Sequence, residues 1–256
     1  MIKTSLLLLV FNGDNYLNRA LKSVSKQKIK LDEIVIIDDA SYDNTSKIID
    51  FWSQKLPIKY IYNKKNIGIF KSLKKGVDNC SGELIFRIDH DDQWSDNHVS
   101  EILQLYNEEK NASIFSTRAA YYDKDNNLLK TSTIISDKDI RKKILWDNPF
   151  VQSATAFFKK DFLRVYKKVG MYSLEDYDLW IKLLKIGPLQ FSSEITVKYY
   201  VYENSLSRQN IKRNYKERYL CQFRAIKNFF FYYPLRSLLI LLIILMRYLK
   251  IRFFIF

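Results

Sequence analysis

Three short stretches of this 256-residue chain concentrate carboxylates: Asp38-Asp39-Ala40-Ser41-Tyr42-Asp43, Asp89-His90-Asp91-Asp92 and Glu175-Asp176-Tyr177-Asp178. Like charges this close repel unless a cation or water separates them. Between Asp89 and Asp92, three carboxylates fall within four residues. Hard oxygen donors at that density suit Mg²⁺ or Mn²⁺ bridging to the phosphate oxygens of a substrate. They equally suit a solvated acidic turn that caps the helix after Ser95. At Asp38-Asp39 a carboxylate can accept the imide N–H of a uracil or thymine ring, or satisfy loop amides while Asp43 or Asn44 caps a helix. Glu175, Asp176 and Asp178 open a helix, where acids complement the positive end of the macrodipole. One of them held at a pocket lip, within reach of a hydroxyl, can act as a general base.

The elements that must position these groups alternate between buried strands and amphipathic helices. Ser5 to Phe11 reads as a strand, Asn15 to Lys26 as a helix and Glu33 to Ile37 as a second strand ending in Asp38-Asp39. The pattern repeats with a helix near Asn44 to Ser53, a strand Ile58 to Tyr62, a helix near Phe70 to Asn79 and a strand Leu84 to Ile88. Such alternation predicts an α/β fold, a mostly parallel sheet wound with right-handed crossovers and flanked by helices. Ligands then bind at the carboxyl ends of the strands, which here carry Asn12, Asp38-Asp39, Asn63 to Gly68 and Asp89 to Asp92. Further on, Ile114 to Thr117 and Ala154 to Phe158 read as strands, Tyr121 to Thr133 as a hairpin turning at Asp125-Asn126-Asn127, and Leu174 to Ile186 as a helix stopped by Gly187-Pro188.

In order and spacing, five pieces resemble the family 2 glycosyltransferases of the GT-A fold: Leu6 to Asn12, Asp38-Asp39-Ala40-Ser41-x-Asp43-Asn44-Thr45, Asn66-Ile67-Gly68-Ile69, Ser81 to Asp92, and Glu175-Asp176-Tyr177-Asp178-Leu179-Trp180. The resemblance covers about residues 2 to 207 and implies an inverting transfer of a sugar from a nucleotide sugar to a hydroxyl. By that likeness Asp89-His90-Asp91 corresponds to the D-x-D motif, with Asp91 as direct ligand of Mn²⁺ or Mg²⁺ and Asp89 or Asp92 near ribose or metal. Asp39 corresponds to the acid that reads the base, beside Phe11 and Asn12, and Asp176 to the catalytic base, with Glu175 next to it as a further candidate. Lys71 is either a second cation for the diphosphate or a solvated helix lysine. Two departures stand out: Gln152 sits where many relatives place a histidine, and Tyr199-Tyr200-Val201-Tyr202 replaces a Y-R-x-H-like segment, leaving Arg208 as a substitute cation.

Composition narrows the alternatives. Two histidines exclude a multi-histidine metal centre, and two cysteines 141 residues apart provide neither a disulfide framework nor a thiolate zinc site, which fits a reducing cytoplasm. The six glycines form no dinucleotide or phosphate-binding loop. Met1 to Phe11 is too short in its apolar core for a signal peptide and reads as a buried strand. Of a net charge of +14, +10 lies from Arg208 to Phe256, where eleven Lys or Arg face one acid, Glu217. A domain of residues 1–207 is therefore followed by a basic, apolar helical region, 208–256. Its run Ser237 to Met246 gives about 15 Å of helix against a hydrocarbon core of roughly 30 Å, too short to span. A helix with basic residues at 236, 247 and 250 on one stripe fits the headgroup layer of an anionic membrane, or else packs on a second copy as a homodimer. The expectation is a peripheral protein of the inner face of the plasma membrane, acting on a saccharide or lipid-linked saccharide in surface polysaccharide synthesis. Rival readings are a non-catalytic nucleic-acid-binding protein driven by the basic tail, which leaves the acidic strand ends unexplained, and a sugar nucleotidyltransferase, which lacks its glycine-rich basic loop at Asn12-Gly13-Asp14.

Overall fold

Thr4–Val10 forms β1, a strand buried along its whole length at the centre of the sheet. The computed structural model describes residues 2–134, 136–166, 174–202 and 211–253. On one side β1 pairs in parallel with β2 (Glu33–Asp38), which pairs in parallel with β3 (Ile58–Tyr62); on the other it pairs in parallel with β4 (Leu84–Asp89). Because successive side chains of a strand point to opposite faces, β1 feeds two cores. Leu6, Leu8 and Val10 meet α1 (Leu17–Ser25), α2 (Thr45–Ser53) and α4 (His98–Glu108). Leu7 and Leu9 share the second core with α3 (Ile69–Asn79) and α7 (Glu175–Ile186). Helices on both faces explain why the strands read as continuous apolar runs rather than alternating ones.

Beyond β4 the sheet becomes mixed. Numbered in chain order with β5 at Gln93–Trp94, β6 at Ile114–Tyr122, β7 at Leu128–Thr131, β8 at Thr155–Phe158 and β9 at Leu189–Tyr200, the strands lie in the order β3-β2-β1-β4-β8-β6-β9-β5, with β7 pairing β6. β8 runs antiparallel to β4 and β6, while β9 runs parallel to β6. The β6–β7 hairpin turns at Asn126, which adopts φ 64°, a left-handed conformation that asparagine tolerates. Twelve-residue β9 carries the polar interruption Ser192-Ser193-Glu194 and has no clean strand periodicity; pairing with β6, across register shifts near Ser116 to Ala119, makes it a strand. Helices α5 (Asp137–Lys143) and α6 (Lys159–Val165) are too short to leave a periodic signal.

The C-terminal helices α8 (Ile211–Phe229) and α9 (Pro234–Phe253) complete one face. Cys221, Ala225, Ile226 and Phe229 of α8 belong to the same apolar cluster as Leu179, Trp180 and Leu183 of α7, and Ile240 and Ile244 of α9 join it. The expected boundary at 207/208 lies outside the described residues. Among the described residues, no helix is long and apolar enough to cross a membrane.

Candidate active site

The carboxyl end of β1 turns sharply at Asn12, with φ 52°. The Asn12 amide donates to Ser41 Oγ at 2.9 Å, and its side-chain oxygen accepts from the Tyr42 amide at 3.1 Å, tying β1 to the loop after β2. Asp38 is fully buried and structural: it accepts from the Ser41 amide at 2.8 Å and from Tyr60 Oη at 2.9 Å. Asp39 is buried and accepts from Asn63 Nδ2 at 2.8 Å, the Ile67 amide at 2.9 Å and the Gly68 amide at 2.8 Å. A carboxylate offers about four lone-pair sites, so one further donor can be accommodated. Phe11, half-exposed, meets the exposed Tyr42 ring edge-on at 6.0 Å and forms the rim.

On the other side of β1, β4 delivers Asp89 opposite Leu9, while β2 delivers Asp38 opposite Val10. The two acidic strand ends thus flank the end of a single strand, on the order of 10 Å apart by sheet geometry. The amide of Asp89 donates to Ser153 Oγ at 3.0 Å, and its Oδ1 accepts from Gln152 Nε2 at 2.8 Å. Asp92 is buried and holds structure together: it accepts from Ser153 Oγ and, at 3.1 Å, from the Tyr200 amide, so it fastens the segment just before β8, and the end of β9, to the turn. Burial, with Asp91 and Asp89 adding repulsion, raises its pKa well above the usual carboxylate range. Asp91 is partly buried, and among the described residues only its own backbone amide hydrogen-bonds to its carboxylate. Its pKa is also raised, first by desolvation and further by Asp89, against the pull of His90 and Arg19.

Arg19 of α1, a residue the motif argument passes over, locks this turn. Its Nη2 donates to the Asp91 carbonyl at 2.6 Å and to Tyr202 Oη at 2.8 Å, and its guanidinium lies 3.7 Å from the Tyr200 ring centroid. A cation therefore does reach the tyrosine-rich segment that lacks the Y-R-x-H arginine, but it arrives from the first helix. Arg208, the substitute expected from sequence, lies outside the described residues.

Asp176 sits in the first turn of α7, with Oδ2 accepting from Asn148 Nδ2 at 2.6 Å and Oδ1 from the Tyr177 amide at 2.7 Å. Desolvation outweighs those donors and, with the charge of Asp89 adding to it, pushes its pKa up to about 6. Glu175 is buried and driven to about 8 by desolvation and by Asp176. Beneath both lies Arg87, 1% exposed, 3.9 Å from Asp89 Oδ1, with Nε and Nη2 lacking any hydrogen-bond partner among the described residues. Its charge favours the ionised forms of Glu175 and Asp176. An arginine inside the otherwise apolar Leu84 to Ile88 is the one signal that would have found it, since a buried charge needs partners. Asn148 had the weaker signal of a fixed Asn-Pro turn. Asp89, Gln152, Arg87, Glu175 and Asp176 are thus one electrostatic unit, with Asp39 across β1. Lys71 is exposed in the first turn of α3, without an ion pair among the described residues.

No group of three or more His, Cys, Asp or Glu is gathered for a metal among the described residues. The donor set nevertheless fits a divalent cation that takes most of its ligands from a diphosphate and water. Asp91 offers a desolvated carboxylate bonded only by its own amide among the described residues, and Asp89 retains Oδ2, whereas Asp92 has both oxygens occupied by the fold.

A half-parallel α/β sheet with acids at the strand ends on either side of β1 and a helix-borne carboxylate near Asp89 defines a GT-A-type glycosyltransferase. Residues 5–166 match the model of Glycosyl transferase family 2, and the chain belongs to that family. It is 30% identical over 191 residues to the UDP-Gal:alpha-D-GlcNAc-diphosphoundecaprenol beta-1,3-galactosyltransferase of Escherichia coli, covering 72% of this chain and 69% of that one. It is 23% identical to the amylovoran biosynthesis glycosyltransferase AmsE of Erwinia amylovora, covering 72% and 70%. Among solved structures, S. aureus TarS 1-349 in complex with UDP-GlcNAc superposes with a TM-score of 0.71 at 16% identity, over 88% of this chain and 67% of that one. The mannosyltransferase PcManGT of Pyrobaculum calidifontis, in complex with GDP-Man and Mn2+, gives 0.68 at 15% identity over 88% and 64%. The chain is a glycosyltransferase with relatives in polysaccharide and lipid-linked sugar synthesis.

Proposed function

We propose that this enzyme transfers a sugar with inversion from a UDP-sugar to a hydroxyl of a lipid-linked saccharide, in the synthesis of a surface polysaccharide. The observation that carries the reading is geometric: Asn148 and the Tyr177 amide fix the Asp176 carboxylate at the first turn of α7, close enough to Asp89, itself fixed by Gln152 at the end of β4, for the two charges to interact. Asp176 Oδ, with Asn148 and the Tyr177 amide fixing its direction, accepts the acceptor hydroxyl proton. The resulting oxygen attacks the anomeric carbon as the bond to the diphosphate oxygen breaks, and the nucleoside diphosphate leaves with both bonding electrons. Asp89 and Asp91 would hold Mn²⁺ or Mg²⁺, which when bound supplies counter-charge for the departing diphosphate. Asp39 takes the imide N–H of uracil as its fourth donor, with Phe11 and Asn12 along the rim of the base site. Gln152 keeps Asp89 oriented.

The test is a screen of UDP- and GDP-sugars for donor hydrolysis and transfer with Mn²⁺. Turnover of a UDP-sugar by the wild-type protein is expected. Asp176→Asn is expected to lower kcat by about 10²- to 10⁴-fold while donor affinity is retained; full turnover by that variant would overturn the base assignment. Membrane attachment through α9 is part of the same proposal, at the inner face of the plasma membrane. The exposed leucines of α9 and the surplus positive charge after residue 207 support it. Pelleting with anionic vesicles, lost on removal of 234–256, tests it; a dimer in solution that ignores vesicles would refute it.

A further inference from the structure

Between helix α1 and the short strand β5 lies a cleft of about 480 Å³, within the size range of sites that hold small ligands. One end abuts the Asp89 to Asp92 turn: Gln93 follows Asp92 in the chain, and Arg19 donates to the Asp91 carbonyl. Along α1, Asn18, Lys22 and Lys26 recur every four residues, so they form one stripe about 12 Å long beside the cleft.

The fold has sorted the polar groups of this lining. Asn18 Oδ1 accepts from Trp52 Nε1 at 2.9 Å, and Gln93 Oε1 accepts from Tyr200 Oη at 2.7 Å. Each amide thus has its acceptor oxygen engaged by the protein, while its NH₂ donates to no described residue. Ser23 is used up: its Oγ donates to the Ala20 carbonyl at 2.7 Å and accepts from the Trp94 amide at 3.1 Å. Charge carries the same bias. Arg19 feels the opposing charge of Asp91, and Asp96, the one carboxylate in the lining, is met by Lys28 at 3.7 Å. Lys22 and Lys26 are exposed and form no ion pair among the described residues, so two positive charges are left over. Apart from the exposed Asn15, the side chains here offer donors and cations whose counterpart acceptors are already taken.

Such a surface selects an anion. A single small anion needs donors converging on one point, whereas these are strung along the helix, so the ligand is extended and carries repeated charge. Single-stranded nucleic acid stacks its bases on accessible aromatic rings, and Trp94, the one aromatic residue of the lining, is 5% exposed. A membrane surface is met by exposed apolar side chains beside basic ones, and the cleft presents none. Amide donors set among cations match the hydroxyls of sugar rings set among acidic groups.

We propose that this cleft binds an acidic saccharide, a chain carrying carboxylates or phosphates along its length, and hence that the glycan built by this enzyme is acidic. The second clause rests on the transferase reading above; the first does not. Lys22 and Lys26 take successive acidic groups by charge-assisted hydrogen bonds, and the Asn18 and Gln93 amides donate to the oxygens between them.

Calorimetry on the full chain tests it with trimers of galactose, of galacturonic acid and of galactose 6-phosphate. At least one acidic trimer is expected to bind about tenfold or more tighter than the neutral one, and the tighter of the two identifies the acid. Lys22→Gln with Lys26→Gln, two surface changes, is expected to abolish that preference. Asn18→Asp keeps an acceptor for Trp52 Nε1 but puts a carboxylate oxygen where the amide donated, and is expected to weaken the acidic trimer by about tenfold or more. Lys110→Gln with Lys160→Gln removes the same charge from exposed positions outside the cleft and should leave binding unchanged. Equal affinity for all three trimers in the wild-type protein, or an equal loss in both lysine pairs, overturns the cleft assignment. So do trimers indifferent to the Lys22 and Lys26 changes while single-stranded RNA or anionic vesicles lose binding. An acidic trimer held at the cleft of a protein that turns over no nucleotide sugar would overturn the transferase reading instead and leave the binding site standing.

Discussion

In its proposed role as general base Asp176 would work only while ionised, and it is held where ionisation fails just below neutrality. Its pKa of about 6 means that kcat/KM should fall roughly tenfold per pH unit below about 6 and level off above it. Arg87 opposes that rise, so Arg87→Met should move the limb to higher pH while Arg87→Lys largely keeps it, as a pH–rate profile of each variant will report. A limb unmoved in Arg87→Met would show that the buried guanidinium serves the fold alone. Glu175 has a separate consequence for stability. Its folded pKa, about 8, exceeds its ordinary 4.5, so the folded state holds a proton that the unfolded state has lost between those values. Stability from this group is complete below the lower value and is lost as pH rises through the upper one. The melting temperature should therefore fall between about pH 4.5 and pH 8, and Glu175→Gln should flatten the fall.

Among elements, two contacts set the geometry of the strand ends. Helix α1 reaches the Asp89 to Asp92 turn through Arg19, whose two hydrogen bonds and stacking on Tyr200 fix the Asp91 backbone. Arg19→Met should cost about 2 kcal/mol in chemical denaturation and weaken nucleotide binding further, because the turn loses its anchor. Helix α3 lies against β1 at Gly76, where an added Cβ would overlap both Leu7 methyl groups and crowd Ile37. Alanine is the better helix former by up to about 1 kcal/mol, but overpacking costs about 1–3 kcal/mol, so packing decides the sign. Gly76→Ala should lower the unfolding midpoint; a rise would show that α3 can shift away from the sheet.

At the scale of the whole molecule, the near-neutral body and the basic C-terminal region are joined mechanically. Arg224 of α8 is ion-paired with Asp178 of α7, which also accepts from Lys182, so the helix carrying Asp176 leans on the helix that precedes α9. Leu238→Glu with Leu242→Glu alters only the exposed face of α9 and spares Ile240 and Ile244 in the core. That double variant should fold with an unchanged melting temperature and no longer pellet with anionic vesicles. Pelleting at the wild-type level would place the membrane contact elsewhere.

Local chemistry in the sequence determined the parallel half of the fold and the identity of the acids. Continuous apolar runs ending in Asp38-Asp39 and Asp89 to Asp92 must become buried strands whose polar ends emerge together, since carboxylates cannot be left inside the sheet without partners. Sequence also determined the apolar face of α7, with Leu179, Trp180, Leu183 and Leu184 all buried. What only tertiary structure decided are the matters that depend on partners distant along the chain. Asp92 became a fastener because Ser153 and Tyr200 arrive beside it, 61 and 108 residues away. β9 became a strand because β6 pairs with it, against its own polar interruption. Arg19 took a place beside the tyrosines of β9, which no spacing argument within either segment can express, because a guanidinium's partners are set by which surfaces the fold presses together.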